Sequence, residues 1–198
     1  MKSVKRGCVL AVLFVVVSCK KGTPTQGTPN PNIAMEYINL YDRDILANAP
    51  GYAIDVNHDG RKDLHFVTQL VGDPVAQVDK IQFLVSSNID VMLPVNSNEE
   101  IPVMNSGETI VLDSFNGYQW FDLSSIILVQ KIISFTEPDK WEGHWKEARH
   151  KFIPYQVVIA GKRYNGWVEI SVDITNEKLV LHKAAICKNP ETIVKAGI

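Results

Sequence analysis

The stretch FIPYQVVIAGKRYNGWVEISVDITNEKLVLHKAAI, residues 152–186, decides the fold. Apolar and β-branched residues fill three runs, Phe152 to Ala160, Arg163 to Ile174 and Lys178 to Ile186. Alternation of period two puts successive side chains on opposite faces of a pleated strand. Gly161-Lys162 and Thr175-Asn176-Glu177 separate the runs and are turn-forming, so the spacing predicts antiparallel strands joined by hairpins. Trp167 alternates within the middle run and is expected in the core. Cys187 follows the last run and reads as a buried small apolar residue.

Upstream, the same pattern recurs in Met35 to Tyr41, Gly51 to Asp55, Leu64 to Val71, Val78 to Ser86, Ile89 to Leu93 and Thr109 to Leu112. Residues 124–135 are rich in isoleucine, which favours a buried strand over a helix. Only Lys140 to Lys151 has helical spacing: Trp141 and Trp145 stand four apart, as do Lys140 and His144. One or two helical turns are expected there. Many short strands, frequent turns and at most one short helix define a mainly β fold, an antiparallel, jelly-roll-like β-sandwich spanning 34–198. No repeat of solenoid or propeller length is present.

Between two of these strands lies Asp55-Val56-Asn57-His58-Asp59-Gly60-Arg61-Lys62-Asp63. Side-chain oxygens fall at the first, third, fifth and ninth positions, which a tightly coiled loop turns toward one centre. Glycine at the sixth permits the positive φ that such a reversal requires. Arg61, at the seventh, is expected to offer its backbone carbonyl. Hard oxygen donors carrying three carboxylates point to calcium, in a structural role. The twelfth position is Phe66 instead of glutamate, which excludes an EF-hand. The loop resembles the calcium loops of FG-GAP, thrombospondin-type and dockerin-type modules. That resemblance implies ligation by Asp55, Asn57, Asp59, the Arg61 carbonyl and Asp63.

The N-terminus is a targeting segment. Lys2, Lys5 and Arg6 precede an apolar run from Gly7 to Val17, too short for the roughly 20 residues of a membrane span. Val16-Val17-Ser18-Cys19 resembles a bacterial lipobox, which implies removal of residues 1–18 and lipidation (palmitate among the acyl chains) at Cys19. Residues 19–33 carry prolines, glycines and polar residues and form a flexible tether, able to extend up to about 40 Å. The domain is therefore expected to be anchored to a membrane, with the outer membrane of a cell envelope the favoured location and the face left open. The signal segment holds three bases and no acid, so its loss takes 20 Lys+Arg to 17 against 22 Asp+Glu, a formal −5. An acidic chain without a basic run excludes nucleic acid as the expected partner. With Cys8 removed and Cys19 acylated, Cys187 has no partner for an internal disulfide.

The early acidic loop, the late run Tyr164-Asn165-Gly166-Trp167-Val168-Glu169-Ile170 and the closing Lys195-Ala196-Gly197 together resemble a group of envelope lipoproteins of the Bacteroidota. The resemblance implies a β domain at the cell envelope and carries no activity with it.

No His-Glu-x-x-His, no Gly-x-Ser-x-Gly and no glycine-rich phosphate loop is present, so no catalytic residue is assigned. The histidines at 58, 65, 144, 150 and 182 are scattered. Tryptophans beside polar residues offer a different chemistry. Trp120, Trp141 and Trp145 could stack on sugar rings, while Asp122 or Glu142 accepts hydroxyl hydrogen bonds. A binding or structural module at the envelope is the leading expectation. A glycan-binding or glycan-active protein of a polysaccharide-utilisation system is the alternative.

Overall fold

The computed structural model describes residues 33–198. The predicted signal segment, Cys19 and the tether up to residue 32 lie outside the described residues. The chain forms β1 (Met35–Leu46), β2 (Tyr52–Ile54), β3 (Leu64–Asp73), β4 (Val78–Ser87), β5 (Val91–Val95), β6 (Thr109–Ile110) and β7 (Gln119–Asp122). It continues through β8 (Ser125–Ser134), β9 (Lys140–Glu142), β10 (Lys151–Ile159), β11 (Lys162–Asp173), β12 (Lys178–Cys187) and β13 (Val194–Lys195). No helix occurs among the described residues.

The decisive stretch is the centre of a six-stranded antiparallel sheet ordered β1-β12-β11-β10-β5-β7. A five-stranded sheet, β2-β3-β4-β8-β9, packs against it, and the two form an open sandwich and not a barrel. Leu64, Phe66, Phe83 and Val85 of one sheet share a core with Val157, Val168, Ile170, Val172, Leu179 and Leu181 of the other. The β10–β11 turn falls at Ala160-Gly161, one residue earlier than expected, and both residues have positive φ (49° and 74°). That is the handedness a two-residue hairpin needs to match strand twist. The β3–β4 and β11–β12 hairpins share a device. Asp73 and Asp173 each accept, through Oδ1, the backbone N–H three residues on, at 3.0 and 3.1 Å.

A second apolar cluster lies on the outer face of the six-stranded sheet. Phe152, Trp167, Ala185 and Cys187 are covered there by Met104, Ile110, Val194 and Ala196. The closing strand β13 pairs with β6 and makes this cover. Beneath it, Asn165 Nδ2 donates to the Ile110 and Thr192 carbonyls, and Gln156 Nε2 to those of Val111 and Leu112. Trp167 and Cys187 are buried as expected.

The helical expectation over Lys140–Lys151 is corrected. Lys140–Glu142 is a strand paired with β8, and turns follow it. Gly143 has φ 127°, outside any helix, and its Cα lies so near Leu128 and Val129 that a Cβ would meet their backbone at 2.7 and 2.8 Å. The four-residue spacing of Trp141 and Trp145 spans a strand end and a turn. It does not mark one face of a helix.

Candidate metal centre

The acidic loop is the connection of the β2–β3 hairpin. Ile54 pairs with Leu64, and the Asp63 N–H donates to the Ile54 carbonyl at 2.8 Å, closing the loop at its base. Val56 is fully buried in the main core and pegs the loop down. His58 and Gly60 both have positive φ (58° and 89°), which produces the reversal expected at the sixth position.

The polar side chains turn inward onto the loop's own N–H groups. Asp55 accepts from the Asp59 N–H at 3.2 Å through Oδ1 and from the Gly60 N–H at 2.9 Å through Oδ2. Asn57 Oδ1 accepts from Asp59 N–H at 3.0 Å, and Asp59 Oδ1 from Arg61 N–H at 2.8 Å. Asp63 Oδ2 accepts from the Val56 N–H at 2.7 Å. These are Asx-type bonds, by which short polar side chains fix a turn. Arg61 does more than present a carbonyl, because its guanidinium pairs with Asp59 Oδ2 at 3.1 Å.

Asp59 and Asp63 therefore differ electrostatically. The backbone N–H of Arg61 foremost, helped by its side chain, holds Asp59 below the usual carboxylate range. Asp63 moves the other way. Burial disfavours its charge most, and the charges of Asp59 and Asp55 add to this, opposed by the Val56 N–H. A buried acid facing two others is the arrangement a cation would relieve. A cleft of about 430 Å³ opens beside the loop, bounded across from it by Asp90, Val91 and the end of β10. The donor set is all hard oxygen and suits calcium in kind. In the geometry seen, however, no three His, Cys, Asp or Glu side chains among the described residues converge as a metal site.

The predicted aromatic platform is not assembled. Trp145 is 1% exposed and its Nε1 donates to the Ile101 carbonyl at 3.3 Å, so it fills the core and cannot stack on a ligand. This corrects the reading of Trp145 as a stacking residue. Trp141 is half-buried on β9 and packs against Phe83, with ring centroids 5.9 Å apart. Trp120 lies half-buried on β7, an edge strand of the other sheet, with Nε1 donating to the Asp113 carbonyl at 3.3 Å.

One constellation had no signal in the sequence. His150 and His182 stack with centroids 4.2 Å apart, among Asp42, Glu169 and Ser171. Strand pairing unites residues from four separate segments, and no local spacing encodes it. Comparison with protein-family models, with curated proteins and with solved structures returned no match.

Proposed function

We propose that the chain is a lipid-anchored cell-envelope protein whose β-sandwich serves as a binding or structural module, with one structural calcium in the Asp55–Asp63 loop. The observation that carries the calcium reading is Asp63, a buried carboxylate facing two like charges without an ion-pair partner of its own among the described residues. Calcium ligated by Asp55, Asn57, Asp59, the Arg61 carbonyl and Asp63 offsets that repulsion. Its role is to hold the β2–β3 connection in a domain without an internal disulfide. The lipobox-like Val16-Val17-Ser18-Cys19 supports the anchor and, with the resemblance to Bacteroidota lipoproteins, the location.

Thermal unfolding of the purified full-length protein, with EDTA and with added calcium, tests the metal. At a Kd of ~10⁻⁴ to 10⁻³ M, millimolar calcium adds about 0.4 to 1.4 kcal/mol, a rise of a few degrees in Tm. An unchanged Tm, together with no calcium retained in equilibrium dialysis, sinks the reading. Labelled palmitate should enter the protein in cells and be lost with Cys19→Ser.

The pH dependence has a definite sign. Because the folded pKa of Asp63 is raised above the ordinary 3.8, its contribution is fully present below that value. That contribution is lost as pH rises through the folded pKa. In EDTA, Asp63→Asn should therefore remove a destabilising slope on the alkaline side of pH 3.8, and the variant should be no less stable than the parent at neutral pH. The same variant should lose its calcium response. A variant that still gains stability from calcium places the ion elsewhere.

A glycan-binding reading keeps one specific support. Trp120 lines an open cleft of about 380 Å³ with Asp113, Gln119 and Arg163. A glycan-array signal abolished by Trp120→Ala would bring that reading forward, and an unchanged or absent signal would remove it.

A further inference from the structure

The outer face of the six-stranded sheet carries a hydrogen-bonded chain of serine, histidine and aspartate. Ser171 Oγ lies 2.8 Å from His182 Nε2, and His182 Nδ1 lies 2.6 Å from Asp42 Oδ1. Both distances fall within the reach at which a base takes a nucleophile's proton and an acid fixes the base's tautomer. With Nδ1–H directed at Asp42, Nε2 is the acceptor for the Ser171 hydroxyl. The backbone N–H of His150 also donates to Ser171 Oγ, at 2.9 Å.

Three backbone irregularities on three segments create this arrangement. In β12, Glu169 pairs with Lys183 and Ile170 with Leu181, so His182 is an extra residue and shares its outward face with Lys183. Opposite it, β1 passes from Asn39 to Arg43 across a bulge whose Tyr41 and Asp42 have positive φ (57° and 50°). His150, just before β10, is also left-handed at φ 48°. Bulges re-aim side chains, and non-glycine residues at positive φ cost energy that regular strands would avoid.

A second pair completes the cluster. His150 stacks on His182 with rings inclined by 20°, its Nδ1 lies 2.8 Å from Glu169 Oε1, and Lys183 Nζ lies 3.4 Å from Glu169 Oε2. The His150 side chain is 68% exposed against 14% for His182, so it forms the solvent side of the cluster.

We propose that Ser171, His182 and Asp42 form an acyl-transfer triad for carboxylic esters, with Ser171 the nucleophile, His182 the base and Asp42 the positioning residue. Ser171 Oγ bonds to the ester carbonyl carbon while its proton passes to His182 Nε2. The tetrahedral intermediate collapses with cleavage of the C–O bond, and that proton goes to the departing alkoxide. Water then attacks the acyl-serine and gives one proton to His182; the C–Oγ bond breaks, Ser171 Oγ takes that proton back, and the free acid leaves.

The probe is an alkyl fluorophosphonate applied to purified full-length protein. Oγ bonds to phosphorus, fluoride leaves, and the proton goes to His182. The expected result is a single adduct on the peptide containing Ser171, absent in Ser171→Ala. His182→Gln should slow labelling by about 10²-fold or more. Asp42→Asn should slow it by less than the ~10⁴ of a buried triad aspartate, because Asp42 is 77% exposed. The pH profile of labelling, with Asp42, His150, Glu169 and Lys183 gathered around His182, should also change in Asp42→Asn. A purely structural hydrogen bond would leave that profile alone. No adduct at Ser171, or one formed at the parent rate in Asp42→Asn, overturns the proposal; the exposed Asp42 keeps the test valid if His182→Gln does not fold.

Discussion

Gly166→Ala should destabilise the domain by about 3 kcal/mol or more, a large share of the 5–15 kcal/mol that separates most domains from their unfolded chains. Gly166 points inward from β11 directly opposite Tyr155 of β10. A Cβ there would press on the Tyr155 ring, 2.5 Å from its Oη and 2.6 Å from the Ala185 carbonyl. Neither neighbour can retreat. The tyrosine is fully buried, and its hydroxyl donates to that same carbonyl at 3.0 Å. Burial pushes the phenol well above its ordinary 10.0, so it remains a donor at every working pH. An added methyl therefore strains the core and forces the hydroxyl off its acceptor, and a buried polar group left unpaired costs about 1–3 kcal/mol by itself. Denaturant unfolding of the purified protein measures the loss. Tyr155→Leu placed on top of Gly166→Ala should recover part of it, since the two positions share one space and cannot behave additively. A shift below about 1 kcal/mol for the single variant would mean that the ring has somewhere to go.

This close approach explains part of a motif that the sequence showed without a reason. In Tyr164-Asn165-Gly166-Trp167, strand alternation could place Trp167 in a core. What the glycine makes room for depends on register: Tyr155 is brought opposite it only by the β10–β11 hairpin. Asn165 is similarly opaque in sequence, since its partners are the Ile110 and Thr192 carbonyls of the covering segment. The long strands were legible because each repeats period two several times between turn residues. β7, β9 and β13 are too short for any periodicity to register, and β9 was masked by two tryptophans four apart. The hairpin turn was displaced by one because Ala160 adopts positive φ, a conformation its side chain does not advertise.

The acidic loop was legible as a donor set and not as a geometry. Spacing of Asp55, Asn57, Asp59 and Asp63 put oxygens in one hairpin loop, and Gly60 reverses the chain as expected. The pairing of Arg61 with Asp59 is not encoded in the spacing, which assigns the seventh position only a backbone carbonyl. The Ser171–His182–Asp42 chain lay further out of reach. It depends on two bulges in neighbouring strands, and a bulge changes which face a residue occupies without altering the residue types around it.

Trp145→Ala should unfold the domain more readily by about 3–5 kcal/mol, whatever ligand the protein takes. The side chain is among the largest that the core contains, and it enters from a turn instead of a strand. Its backbone N–H donates to the Leu128 carbonyl at 3.2 Å and its indole N–H to the Ile101 carbonyl at 3.3 Å. One residue thus ties β8, the segment after β5 and the core together. Truncation leaves a cavity of indole size and an unpaired carbonyl on the buried Ile101. Trp145→Phe should lose less, because most of the volume remains and only the N–H contact is missing. Trp120→Ala supplies the contrast: its ring is half-buried at a sheet edge, so stability should change by about 1 kcal/mol or less. Denaturant midpoints for the three variants separate the roles. A Trp145→Ala protein as stable as the parent would return that ring to the surface and restore it as a stacking residue. The expected order instead leaves Trp120, whose ring borders an open cleft, as the aromatic to test against glycans.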